Sequence, residues 1–162
     1  MCGSAFFVDF AIGRGGRKMR RLLSLFFVGI LLSSTLVIAA ETFTVSGEVV
    51  FPGDADIIIK LLTKEEATAG KDTPQERLLV LKLNPQQRKE KKASFSFTAV
   101  PKGTYIIRCF QDDNGNGKLD IGPLQVRLEP VGLYKSSWPF DWDLSNFLVD
   151  RDITGIKIEL RR

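Results

Sequence analysis

Nine residues, Asp112-Asp113-Asn114-Gly115-Asn116-Gly117-Lys118-Leu119-Asp120, gather the side chains best suited to hold a hard cation. Calcium loops place oxygen ligands at alternate positions and a glycine where the chain must reverse. With Asp112 first, Asn114 stands third, Asn116 fifth and Gly117 sixth; Lys118 offers its backbone carbonyl seventh and Asp120 stands ninth. A frame starting at Asp113 puts glycines at ligand positions, so only the first frame works. The twelfth position, where a bidentate glutamate belongs, is Pro123. Of the side-chain ligands only Asp112 and Asp120 carry charge, so a carboxylate from Glu129, Asp141 or Asp143 would have to complete the shell. The competing expectation is a metal-free loop. Asn and Asp side chains accept hydrogen bonds from nearby backbone amides, and Asn-Gly-Asn-Gly tolerates positive φ. The cofactor is Ca2+ on the first reading and none on the second.

A second stretch, Gly132 to Asp143, holds both tryptophans and lacks strand alternation. Tyr134, Trp138, Phe140 and Trp142 form a candidate surface for a sugar ring, a small ligand or a peptide, since aromatic faces stack on such groups. The alternative is that the segment folds over an open end of the domain and its rings plug it. Asp141 and Asp143 resemble an acid/base pair, but alternate positions on one extended segment do not straddle a cleft as glycosidase carboxylates must. The chain has no histidine, which removes Ser-His-Asp and Cys-His catalysis and histidine zinc sites. Cys109 falls in an apolar strand and reads as a small core residue; Cys2 lies far upstream. No catalytic residue is expected.

The formal charge of +4 belongs to the N-terminal end. Residues 1–40 hold five basic residues and Asp9, which leaves 18 basic and 18 acidic residues over 41–162. A neutral body argues against nucleic-acid binding. Met19-Arg20-Arg21, an apolar run from Leu22 to Val37, and Ala39-Ala40 before Glu41 have the layout of a secretory signal peptide. Translation from Met19, cleavage after Ala39 or Ala40, and a periplasmic or extracellular domain over 41–162 are the expectation. An uncleaved membrane anchor is the alternative.

The body must position these groups on strands. Phe43, Val45, Val49 and Phe51 alternate with polar residues, a half-buried strand pattern. Further strands are expected over Asp56–Leu62, Leu78–Leu83, Ala93–Ala99, Thr104–Gln111, Leu124–Leu128 and Ile153–Leu160. Lys64 to Gln75 reads as a solvated loop, with Thr63 and Glu66 as a candidate helix cap. Asn84 to Lys92, with its basic cluster, reads as a solvated turn. Several strands are apolar on both faces, so one open sheet will not serve. The expected class is all-β, a seven-stranded antiparallel β-sandwich of immunoglobulin/prealbumin-like type behind an N-terminal signal helix.

Pro101-Lys102-Gly103-Thr104-Tyr105, the strand after it, and the run from Asp112 to Asp120 resemble the exported bacterial family called domain of unknown function 2141. Pro130-x-Gly132-x-Tyr134-x-Ser136 is similar to a later segment of that family. The likeness spans roughly Val45 to Leu160. More distantly the chain resembles prealbumin-like and carboxypeptidase-regulatory-like sandwiches. The resemblance implies an exported sandwich with no established activity. Cys109 and Gln111 stand where members often carry valine and histidine, a departure that weakens any carried-over ligand role. The functional expectation is a non-catalytic domain that binds a protein, glycan or small ligand, with a structural envelope module as the alternative. A hydrolase using Asp141 or Asp143 is the third reading.

Overall fold

The computed structural model describes residues 40–69 and 71–162; the expected leader, Ala40 apart, lies outside the described residues. Eight strands are present among them: β1 (Thr42–Val50), β2 (Ile57–Leu62), β3 (Leu78–Leu81), β4 (Lys92–Pro101), β5 (Gly103–Gln111), β6 (Val131–Leu133), β7 (Phe147–Val149) and β8 (Ile153–Glu159). Three short helices accompany them, α1 (Lys64–Ala69), α2 (Pro85–Glu90) and α3 (Trp142–Ser145). No described helix is long and apolar enough to cross a membrane.

The strands form two sheets, one ordered β4-β1-β8 and one ordered β3-β2-β5-β6 with β7 also on β5. Both β6 and β7 use the same edge of β5: Arg108 to Phe110 pair with β6, and Gly103 to Tyr105 pair with β7. The core lies between the sheets. Val45, Val49, Phe95, Phe97, Ile156 and Ile158 from the smaller sheet meet Ile57, Ile59, Leu61, Ile107, Cys109 and Val149 from the larger. This is the all-β, two-sheet architecture that period-two alternation implies.

Two differences from the expected strands have local causes. The Leu124–Leu128 stretch is not a strand. Pro123 opens a short 3-10 turn there, Leu124 takes a left-handed φ of 57°, and the Gly122 amide donates back to the Val126 carbonyl at 2.8 Å. In its place stand β6 and β7, three residues each, too short for alternation to be read. The sheets are also not wholly antiparallel, because β8 runs parallel to β1. Glycine makes that pairing feasible: a Cβ on Gly47 would lie 2.2 Å from the Ile156 carbonyl oxygen. Gly132 does the same between the sheets, where a Cβ would meet the Glu159 carbonyl oxygen at 2.7 Å. Beside it, Val131 and Arg161 exchange amide-to-carbonyl bonds of 3.0 and 3.1 Å and stitch one side of the sandwich.

Both polar connections are helical rather than loop or turn. Asn84 caps α2: its side chain accepts from the Gln87 amide at 2.9 Å while the Asn84 amide donates to Gln87 Oε1 at 2.9 Å. At α1 the Thr63 amide donates to Glu66 Oε2 at 2.9 Å, and the Glu66 amide reaches Thr63 Oγ1 at 3.4 Å. These are reciprocal capping boxes, worth about 1 kcal/mol each. Arg77 anchors α1 to the sheet. Its guanidinium holds both Glu66 oxygens at 2.6 and 2.7 Å and also donates to the Leu61 carbonyl at 3.1 Å.

Candidate functional site

The end of β5 delivers the acidic loop. Gln111 is the last strand residue and is fully buried. Its side chain ties down the connection after β1, accepting from the Gly53 amide and donating to the Ala55 carbonyl, both at 2.9 Å. The Asp112 amide then donates to the Asp56 carbonyl at 2.9 Å, so the loop leaves the sheet from a fixed point.

From there the loop is folded around its own amides. Asp112 Oδ1 accepts from the Asn116 amide at 3.0 Å and Oδ2 from the Gly117 amide at 2.9 Å. Asn114 Oδ1 also accepts from the Asn116 amide, at 3.1 Å, and Asn116 Oδ1 accepts from the Lys118 amide at 2.7 Å. Both asparagine amide groups donate to Asp120 Oδ2, at 2.6 and 2.9 Å. Gly115 and Gly117 sit at φ of 73° and 75° with open space where a Cβ would point, so backbone conformation alone demands glycine there.

The structure thus brings Asp112, Asn114, Asn116 and Asp120 together, as the spacing implies, and engages each of them with hydrogen bonds inside the loop. Lys118 takes part through its amide. Among the described residues no three His, Cys, Asp or Glu side chains gather in a metal-holding cluster. A cation here would rest on Asp112, Asp120 and neutral oxygens.

Glu129 does something the spacing did not suggest. It is 2% exposed, and it lies under the loop rather than beside it. One carboxylate oxygen accepts from the Asp113 amide at 3.0 Å and the other from the Asp120 amide at 3.1 Å. One buried anion therefore clamps both ends of the loop. Asp113 points outward and pairs with Arg162. Asp141 and Asp143 do not reach this shell. Asp141 caps α3, its Oδ1 accepting from the Asp143 and Leu144 amides at 2.8 and 3.2 Å, and Asp143 is exposed.

The profile of a family described as uncharacterized proteins conserved in bacteria (DUF2141) matches residues 51–152. The chain belongs to this family. No curated protein and no solved structure matches it. The family stretch runs from Phe51 through β7 and contains the whole loop, its Glu129 clamp and Gln111; β1 and β8 lie outside the match.

Within the family stretch, Tyr134 and Trp138 pack down onto the sandwich. Tyr134 sits edge-on to Phe147, with ring centroids 5.3 Å apart, against the main core. Trp138 covers Ile58, Phe110 and Val131 on the outer face of the larger sheet. Phe140 and Trp142 are half-buried. A groove of about 220 Å³ runs past Trp138, Ser136 and Leu133 to Arg127 and Arg161.

Large apolar side chains are exposed at Val80, Leu144 and Leu148, and four more cluster within eight residues of one another. Ile121, Leu124, Val126 and Leu128 are 40%, 96%, 57% and 56% exposed, all on the turn that follows the loop. The Leu128 amide donates to the Asp120 carbonyl at 3.1 Å, which joins this ridge directly to the loop. Leu124 to Leu128 alternates as a strand would, and nothing in that alternation distinguishes a ridge facing solvent from a strand facing a core.

Cys109 is fully buried among apolar side chains, and burial pushes its thiol pKa far up, so it is unreactive as a nucleophile.

Proposed function

We propose that this chain is a non-catalytic, exported β-sandwich that recognises a protein partner through the Ile121–Leu128 ridge, with the Asp112–Asp120 loop as its rigid bed. The carrying observation is the exposure of four large apolar side chains within eight residues. Large apolar side chains exposed close together on a folded domain mark an interaction surface. The signal-like leader supports export. The sequence's lack of histidine and the use of Asp141 as a helix cap support a non-catalytic reading. A structural envelope module would use the same ridge for assembly.

The test compares wild type with Leu124→Ser/Leu128→Ser. Both side chains are exposed, so the melting midpoint should not move. Wild type carrying a photo-crosslinker at Val126 should form a discrete adduct in native envelope, and the double variant should lose it. Equal crosslinking by both proteins would remove the ridge as the binding surface.

Calcium enters as reinforcement of the bed. Asp112, Asn114, Asn116 and Asp120 already bond within one loop, and a bound ion would draw their oxygens from those amides while the Glu129 clamp stays in place. Calcium at 100 times its dissociation constant should then add about 2.7 kcal/mol to stability. The check is a pair of melts, with millimolar calcium and with chelator; coincident midpoints in wild type would leave the loop as a purely hydrogen-bonded bed.

A further inference from the structure

Apart from the exposed Thr104–Leu148 pair at its β7 end, the outer face of the five-stranded sheet is apolar in every row but one. Val80, Ile58, Phe110 and Val131 form one row by register, and Leu62 and Ile106 pair in another. Between them runs Leu78–Lys60–Arg108–Leu133, with two cations directly opposite each other on β2 and β5. Directly opposed residues on antiparallel strands have Cβ atoms about 5 Å apart, and like charges there repel. A carboxylate would ordinarily sit between such a pair. Among the described residues neither cation has an ion-pair or hydrogen-bond partner; Lys60 lies only over the Phe110 ring, 5.9 Å from its centroid. Both side chains are half-buried, so their charged ends stay within reach of solvent, but Arg108 Nε is closed off from it with no acceptor.

We propose that Lys60 and Arg108 form a binding site for a small oxyanion, a carboxylate or phosphate group carried by a ligand of this domain. A guanidinium presents parallel N–H donors to two oxygens of such a group, and the ammonium supplies a second charge from the neighbouring strand. The anion would meet the solvent-facing end of the Arg108 guanidinium and cancel the cross-strand repulsion. Burial holds both groups below their usual pKa, and Arg108 lowers Lys60 further. Asp72, an exposed side chain, offsets this only weakly. The site is independent of the apolar ridge, which lies on the far side of the acidic loop in sequence.

The experiment follows the side-chain Nε–Hε resonance of Arg108 by proton–nitrogen correlation while sodium phosphate and, separately, sodium acetate are titrated at constant ionic strength. A saturable shift with a midpoint at or below about 10 mM is expected with at least one salt, and Lys60→Met should raise that midpoint about tenfold or more. The salt that saturates at lower concentration identifies the head group. In buffer free of phosphate and carboxylates Lys60→Met and Arg108→Met should melt at or above wild type, because each removes an uncompensated charge. A linear, non-saturating response to both salts would overturn the proposal. So would a lower melting midpoint for both variants without anion, since the pair would then be structural.

Discussion

Removing the Glu129 carboxylate should loosen the acidic loop at both ends while leaving the sandwich folded. The side chain is 2% exposed and accepts two backbone amides, from Asp113 and Asp120, at 3.0 and 3.1 Å. A hydrogen bond to a charged acceptor contributes about 1.5–3 kcal/mol, and part-buried amides that regain water fall at the lower end, so Glu129→Ala should cost about 3 kcal/mol. With a urea m-value of about 1.5 kcal/mol/M, the midpoint should fall by about 2 M. Glu129→Gln keeps the shape and one acceptor but turns an NH2 group toward a donor, and should cost about half as much. The assay is urea unfolding followed by tryptophan fluorescence, with hydrogen exchange read at the Asp113 and Asp120 amides. In Glu129→Ala these two amides should lose protection while those of β5 keep it. A midpoint within about 0.3 M of wild type, or unchanged protection at both amides, would refute the clamp.

Acid should probe the α1 anchor. Burial pushes the Glu66 carboxyl up, but Arg77 and the Thr63 amide and hydroxyl together outweigh that and hold it below its ordinary value of 4.5. A depressed folded pKa stabilises fully above the unfolded value and is lost as pH falls through the folded one. Unfolding free energy should therefore drop as pH falls below about 4.5, and Glu66→Gln should flatten that part of the profile. An unchanged slope in the variant would show that other carboxylates carry it. Gly47→Ala should abolish folding or cost more than about 3 kcal/mol, because the added methyl would sit 2.2 Å from the Ile156 carbonyl oxygen and force β1 from β8. A melt within a few degrees of wild type would show that the parallel pair can slide to accommodate it.

Alternation along the chain is a local property, and it was enough to place six of the strands and the two-sheet class. It was enough because one face of each strand must be apolar to reach the core: Phe95 and Phe97 against Ser94 and Ser96 is legible without any neighbour. The loop was legible for the same kind of reason, since Asx side chains bond amides two to five residues away. Asn116 to Lys118 and Asp112 to Gly117 are both such contacts. Capping is equally local, and Thr63 with Glu66 carried the signal that α1 then realises.

What tertiary structure decided were the contacts whose partners are far apart in the chain. Leu124, Val126 and Leu128 alternate like a strand, yet no strand pairs with them, and they face solvent. Phe147 and Val149 belong to a strand only because β5 lends them an edge. Glu129 became a clamp rather than a lone carboxylate because the chain returns beneath the loop, 9 to 16 residues away from the amides it holds. Lys60 and Arg108 became a pair only through antiparallel register, 48 positions apart in the chain. Residue type and spacing determine what a side chain can bond and which way a strand faces; pairing and register decide which groups it meets, because those depend on the whole chain closing into one core.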